Sequence, residues 1–147
     1  MVAALAAVIV AGCGGTDEDT TTAAIGKAQF ITRADAICAK GSEQTQADLA
    51  IYLKKEGVTL NENQTKDESI ALIAILVKNL EKEVESIRAL GTPSGDDGRV
   101  GAILVALEEG TKEAEKDPVA VVRGEVNVLG KAGELAKEYG LQACGQQ

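Results

Sequence analysis

The chain has 147 residues, 45% of them hydrophobic, and a formal charge of −8. That is enough for one domain with its own core, and too acidic for nucleic acid, whose phosphates need a basic surface. Histidine and tryptophan are absent, which removes Ser-His-Asp and Cys-His catalysis, the usual general base near neutral pH, and most zinc and iron sites.

From Val2 to Val10 the chain is an unbroken apolar run, and the first charged residue is Asp17. The run is far short of the roughly 20 residues that span a bilayer. It has the length of a signal-peptide hydrophobic region. It closes on Val10-Ala11-Gly12-Cys13, a branched apolar residue, two small residues and a cysteine. This motif resembles the lipobox of bacterial lipoproteins. The resemblance implies cleavage before Cys13, a diacylglyceryl thioether on its sulfur, and a fatty acyl chain such as palmitate on the freed amine. It also implies attachment to the outer face of the cell membrane, where two or three chains hold what one holds only marginally. Behind Cys13, residues Gly14 to Ala24 are mainly Gly, Thr, Asp and Glu without apolar periodicity, the composition of a flexible tether. The competing reading is a chance cysteine closing a buried N-terminal helix, and the polar stretch directly after it weighs against that. The expected organisation is a signal peptide over 1–12, a lipidated cysteine and tether over 13–26, and a helical domain over 27–147.

Four segments with helical spacing follow. In the first, Lys27 to Glu56, apolar or small residues fall at Phe30, Ala34, Ile37, Cys38, Gly41, Thr45, Leu49, Tyr52 and Leu53. Steps of three and four put them on one helix face, and Gly57 can end the helix. The second opens on Thr65-Lys66-Asp67-Glu68, a capping box. Ile70, Ile73, Val77, Leu80, Val84 and Ile87 then repeat as a bundle seam, widened by Leu72, Ile75 and Leu76. Gly91-Thr92-Pro93 stops it.

The third segment is expected to start at Ser94 as N-cap, with Asp96 and Asp97 in the first turn. Its face is Val100, Ile103, Leu104, Leu107, Thr111 and Ala114. The fourth starts at Asp117-Pro118, a cap followed by proline at the first helical position. Its face is Val119, Val122, Val126, Leu129, Gly133 and Ala136. Val119, Val121, Val126 and Val128 also fit strand alternation, and each interior glycine costs a helix about 1 kcal/mol; the cap and the spacing favour a helix through Tyr139. Scarce aromatics (Phe30, Tyr52, Tyr139) and a core of Leu, Ile, Val and Ala suit helices better than a β-sandwich. The fold expected is all-α, a four-helix up-down-up-down bundle. Ile73, Val77, Leu80, Val84, Ile103, Leu107, Val122 and Leu129 should be buried.

Cys38 and Cys144 stand near opposite ends of this domain. A redox or metal pair would want a C-x-x-C or more soft ligands, so a structural disulfide is expected, of the kind that staples small exported domains. At about 1.5 Å per residue, a fourth helix of roughly 33 Å lying beside a first of roughly 45 Å ends near the level of Ala34 or Asp35. A Schellman end at Gly140-Leu141 then turns Cys144 back toward Cys38. The motifs Phe30-x-x-x-Ala34-Asp35-x-Ile37-Cys38 and Tyr139-Gly140-Leu141-x-x-Cys144 resemble small secreted or lipid-anchored actinobacterial proteins, a resemblance that implies no activity and no site residues.

Other candidates have simpler readings. Ser94 to Gly98 looks like a calcium loop, but the twelfth position counted from Asp96 is Leu107 rather than glutamate. Glu81 and Glu85, with Glu108, Glu109, Glu113 and Glu115, could serve as a glycosidase acid and base; interleaved with Lys82, Lys112 and Lys116 they read as a solvated face. Asn63-Gln64-Thr65 matches a glycosylation sequon that the helix cap already explains. The function expected is a non-catalytic, membrane-anchored module binding an envelope protein or a small ligand, with no cofactor. The alternative is an envelope enzyme working with carboxylates and lysines alone.

Overall fold

The computed structural model describes residues 25–61 and 63–146. The signal peptide, lipidated Cys13 and most of the tether expected over residues 1–24 lie outside the described residues. Five α-helices follow in order: α1 (Lys27–Glu56), α2 (Lys66–Arg88), α3 (Asp97–Lys116), α4 (Pro118–Val122) and α5 (Gly130–Tyr139). A short 3-10 turn, Cys144–Gln146, ends the described chain. No strand occurs among the described residues, so the all-α expectation holds, with four helices of bundle length.

Local chemistry fixes most of the boundaries. α1 ends as expected at Gly57, where the amide of Val58 reaches back to the Leu53 carbonyl at 3.0 Å. Both arms of the Thr65–Glu68 capping box are made. The third helix departs from expectation: Ser94 is not its cap, and it begins at Asp97 behind Asp96, whose side chain makes no capping bond. The Asp96 carboxylate is engaged elsewhere, accepting a hydrogen bond from the Tyr139 hydroxyl at 2.9 Å and lying 3.5 Å from the Lys27 ammonium.

The fourth segment needs a larger correction. It starts as read, with Asp117 accepting from the Ala120 amide at 3.1 Å and Pro118 in the first turn, but it is not one helix to Tyr139. At Gly124 the backbone turns left-handed, with φ 71°. The Glu125 amide bonds the Ala120 carbonyl and the Gly124 amide bonds that of Val121, both at 2.9 Å. Those two bonds form a Schellman termination. Residues 123–129 then cross irregularly, and helix resumes at Gly130. The expected Schellman end at Gly140 is present, with φ 110° and the Leu141 amide on the Ala136 carbonyl at 2.8 Å.

Two pairs of long helices, α1 with α2 and α3 with α5, run in opposite directions. Asp48 meets Asn79 while Gly41 meets Glu83, so sequence number rises along α1 as it falls along α2. Tyr139 pairs with Asp96 and Lys131 with Glu109, which gives α3 and α5 the same relation. The main core gathers Phe30, Ala34 and Cys38 with Val84, Ile87, Ile103, Leu104, Leu107, Ala136 and Tyr139. No Cα of α1 lies within 8 Å of one in α5. The two are joined by the edge-on Phe30 and Tyr139 rings, 6.0 Å between centroids, and by the 3-10 turn.

Of the residues expected inside, Ile73, Val77, Leu80, Val84, Ile103 and Leu107 are buried. Val122 and Leu129 are only half-buried, because the helix that was to carry them inward ends at Val122. The same break leaves Val126 exposed, and Ile70, at the first turn of α2, is exposed as well. Among the described residues α2 is the only α-helix with Cα atoms within 8 Å of those of α1. Leu49, Tyr52 and Leu53 are therefore half-covered, and Ile51 is 65% exposed.

Candidate functional site

Cys38 and Cys144 are joined by a disulfide, with 5.0 Å between their Cα atoms. Both are buried, so neither sulfur is presented as a metal ligand or nucleophile. Asp35, one turn before Cys38, holds the returning chain. Its carboxylate accepts from the amides of Gln142 at 3.0 Å, Ala143 at 2.9 Å and Cys144 at 3.4 Å. Beside them stands Tyr139, with the Lys27 ammonium 4.2 Å from its ring centroid. Burial, then the hydrogen bond to Asp96 and the charge of that carboxylate, push the Tyr139 phenol up to about 12. This end of the molecule is a clamp made of residues occupied with one another.

The acidic residues singled out in the sequence partly converge. Glu81 and Glu85 of α2 and Glu108 and Glu115 of α3 line one cleft of about 510 Å³, together with Arg88 and Lys112. Val84 and Thr111 form its buried base. Arg88 donates to Glu108 across the cleft, and the Thr111 hydroxyl donates to the Glu108 carbonyl at 2.9 Å. Glu109 and Glu113 point elsewhere, to Lys131 at 3.5 Å and Lys116 at 2.8 Å. A carboxylic acid that donates a proton near neutral pH is usually kept protonated by an apolar site. Glu81, Glu85 and Glu115 are exposed, and Glu108 is half-buried but ion-paired. The arrangement is a charged surface groove.

A second cleft, between α1 and α2, contains polar groups that sequence reasoning missed. It has about 250 Å³ and is lined by Ile37, Lys40, Gly41 and Gln44 of α1 and by Asn79, Lys82, Glu83 and Ser86 of α2. Asn79 and Glu83 are each only 4% exposed. The Asn79 amide nitrogen donates to Asp48 at 3.0 Å, and Gln44 donates to the other oxygen of that carboxylate at 2.7 Å. These bonds hold Asp48 below the usual carboxylate range, Asn79 contributing most. The Asn79 carbonyl oxygen is buried and has no hydrogen-bond partner. Such a group costs about 1–3 kcal/mol when left unsatisfied. Glu83 sits one turn on, against Gly41, where an added Cβ would fall 2.1 Å from its Oε2. The glycine is what lets the carboxylate sit between the helices. Leu72, Leu76, Asn79 and Glu83 are spaced four, three and four apart. That stripe was readable as the second face of α2, with two polar members on it.

Among the described residues no group of three or more Cys, Asp or Glu side chains could hold a metal ion, and no helix is long and apolar enough to cross a membrane. Cys13 lies outside them. No family model, no curated protein and no solved structure matches this chain.

Proposed function

We propose that the chain is the precursor of a bacterial lipoprotein, cut before Cys13 and anchored by lipid on that residue. Its helical domain acts outside the cytoplasm as a non-catalytic binding module for an envelope protein or a small ligand. The observation that carries this reading is the division of the three cysteines. Cys38 and Cys144 are consumed in a buried disulfide, the pairing expected of a chain folded in an oxidising compartment. Cys13 is left alone at the end of a lipobox-like motif.

Geometry adds an orientation. Ile25 packs on the core at the clamp end of the bundle, so a tether from Cys13 enters there. The exposed Ile51 and Leu60 near the α1–α2 connection lie toward the other end of α1, Ile51 roughly 36 Å along the helix from Lys27 at ~1.5 Å per residue. Anchored in this way, the molecule carries those two side chains toward the end of α1 away from the anchor, while the α1–α2 cleft begins beside Cys38, nearer the clamp. Expression in a bacterium tests the reading. The wild-type protein should partition with membranes and begin at Cys13, while Cys13→Ser should be released unlipidated. Recovery of soluble wild type with its first twelve residues intact refutes it.

A further inference from the structure

We infer that a second copy of this chain docks on the outer face of α1, the two helices antiparallel across Glu43, Ala47, Ala50 and Lys54; the inference goes beyond the binding-module reading and does not depend on the lipid. In its second half α1 is covered on one side only. Thr45, Leu49 and Tyr52 are half-buried on the side that α2 covers, while Glu43, Ala47, Ala50 and Lys54 are exposed. The spacing of these four, in steps of four, three and four, puts them on one line along the helix, opposite the α2 side. Beside that line stands Ile51, at 65% the most exposed large hydrophobic side chain among the described residues. Neither Glu43 nor Lys54 makes an ion pair among the described residues.

The order of charges selects the occupant. The line is symmetrical about the point between Asp48 and Leu49, with an acid at one end, a base at the other and an alanine on each side of the middle. Turned end over end, a second α1 sets its Lys54 at the level of Glu43 and its Glu43 at the level of Lys54. The alanines let the two axes approach to about 8 Å, and each Ile51 comes to lie beside Ala47 of the other copy. A parallel copy would bring Glu43 to Glu43 and Lys54 to Lys54, and like charges repel. The overlap runs from Gly41 to Glu56 of each helix, about 24 Å at ~1.5 Å per residue. An interface of that length is of the small class that associates weakly and reversibly, and the charge of −8 on each copy opposes it. A Kd of about 10–100 µM is expected in ~0.15 M salt, where charges are screened beyond about 8 Å. The amino ends of the paired helices stand roughly 65 Å apart, so an anchored pair lies along the membrane surface.

Sedimentation equilibrium of the full chain carrying Cys13→Ser, which can be neither lipidated nor joined through that thiol, reads the association. Its mass should rise from 15.2 kDa toward twice that value between about 1 µM and 1 mM protein. Glu43→Lys and Lys54→Glu, each alone, set like charges across the pair twice and should weaken dimerisation by about tenfold or more. Combined in one chain they restore opposite charges, and the Kd should return to within about threefold of the parent. Ile51→Ser should weaken the dimer by about fivefold, whereas Val105→Ser, exposed on α3, should leave it unchanged. All of these side chains are exposed, so circular dichroism at about 1 µM should show the parent helicity in every variant. A chain that stays monomeric up to about 1 mM, well past the expected Kd, would leave this face to another protein or to water and would overturn the inference. Dimers indifferent to both charge swaps, or weakened by the double swap as much as by the single ones, would come from another surface or another orientation and would overturn it too. The anchor stands or falls separately, on membrane partition of the wild type.

Discussion

Replacing Cys38 and Cys144 together with alanine should lower stability by about 4–5 kcal/mol. The bridge spans a sequence separation of 106, and a loop of that size removes about 4.7 kcal/mol of denatured-state entropy on the chain-entropy model. Two packing effects act around that value. Both sulfurs are buried, so their removal leaves small voids that deepen the loss. The Asp35 carboxylate still grips the amides of residues 142–144, which keeps the C-terminal turn docked in the folded variant and limits the loss to the unfolded state. For a domain of this size roughly 3–5 °C accompany each kcal/mol, so the melting temperature should fall by about 15–20 °C. Urea unfolding followed by circular dichroism supplies the assay. The variant should also show a larger m-value, because its unfolded chain exposes more surface once the loop is open. A fall of less than about 5 °C with an unchanged m-value would refute the reasoning, since it would mean that the denatured chain is compact without the bridge.

Three further outcomes follow from named contacts. Tyr139 holds its proton more tightly folded than unfolded, its phenol standing at about 12 against an ordinary 10.0. Its contribution is therefore full below pH 10 and lost as pH rises toward 12; alkaline unfolding should be shallower over that window in Tyr139→Phe, and equal slopes would contradict a phenol raised by burial and by Asp96. Gly101→Ala and Gly110→Ala, both within α3, should move stability in opposite directions. The first meets open space and should gain about 0.5–1 kcal/mol of helix propensity, whereas the second sets a Cβ 2.4 Å from the Val128 carbonyl and should lose about 2 kcal/mol by lifting residues 123–129. Thermal melts with two stabilised variants would show that this segment does not rest on α3. Asp35→Ala should speed hydrogen exchange at Gln142, Ala143 and Cys144 by about tenfold or more, the loss of at least one charge-assisted bond, while amides in α2 stay protected.

Much of this architecture was legible because its signals are local. A Thr with Glu three residues on, an Asp before Pro, and a Gly before Leu each name a helix end through one or two hydrogen bonds, and the structure makes those bonds at Thr65, Asp117 and Gly140. The disulfide was expected and is present, but not by the helix geometry used to reach it: the fourth helix is broken, no Cα of α5 comes within 8 Å of one in α1, and it is the 3-10 turn that meets α1. The break escaped because the three-four spacing runs on across Val122, Val126 and Leu129 by coincidence, while Gly124 has the same terminating role as Gly57 and Gly140. The Ser94 cap failed for a nonlocal reason: Asp96 is fixed by Tyr139 from the far end of the chain, and the helix starts where that contact puts it. Asn79 and Glu83 were hidden by rank, since periodicity scores apolar residues and passes over a polar one on the same stripe. A glycine on the facing helix was the complementary clue, and Gly41 had been placed on that face.

The clamp also decides how the molecule carries load. Tension entering ahead of Ile25 and leaving past Cys144 runs along the first turns of α1 to Cys38 and crosses the disulfide directly into the 3-10 turn. The residues between the two cysteines, a sequence separation of 106, lie in parallel with that covalent link. Their contour, about 350 Å at ~3.4 Å per residue, stays out of reach of the pull while the sulfur bond lasts. A pull on the two ends would then be borne by about three turns of α1 and the disulfide, with α2, α3 and both clefts keeping their shape.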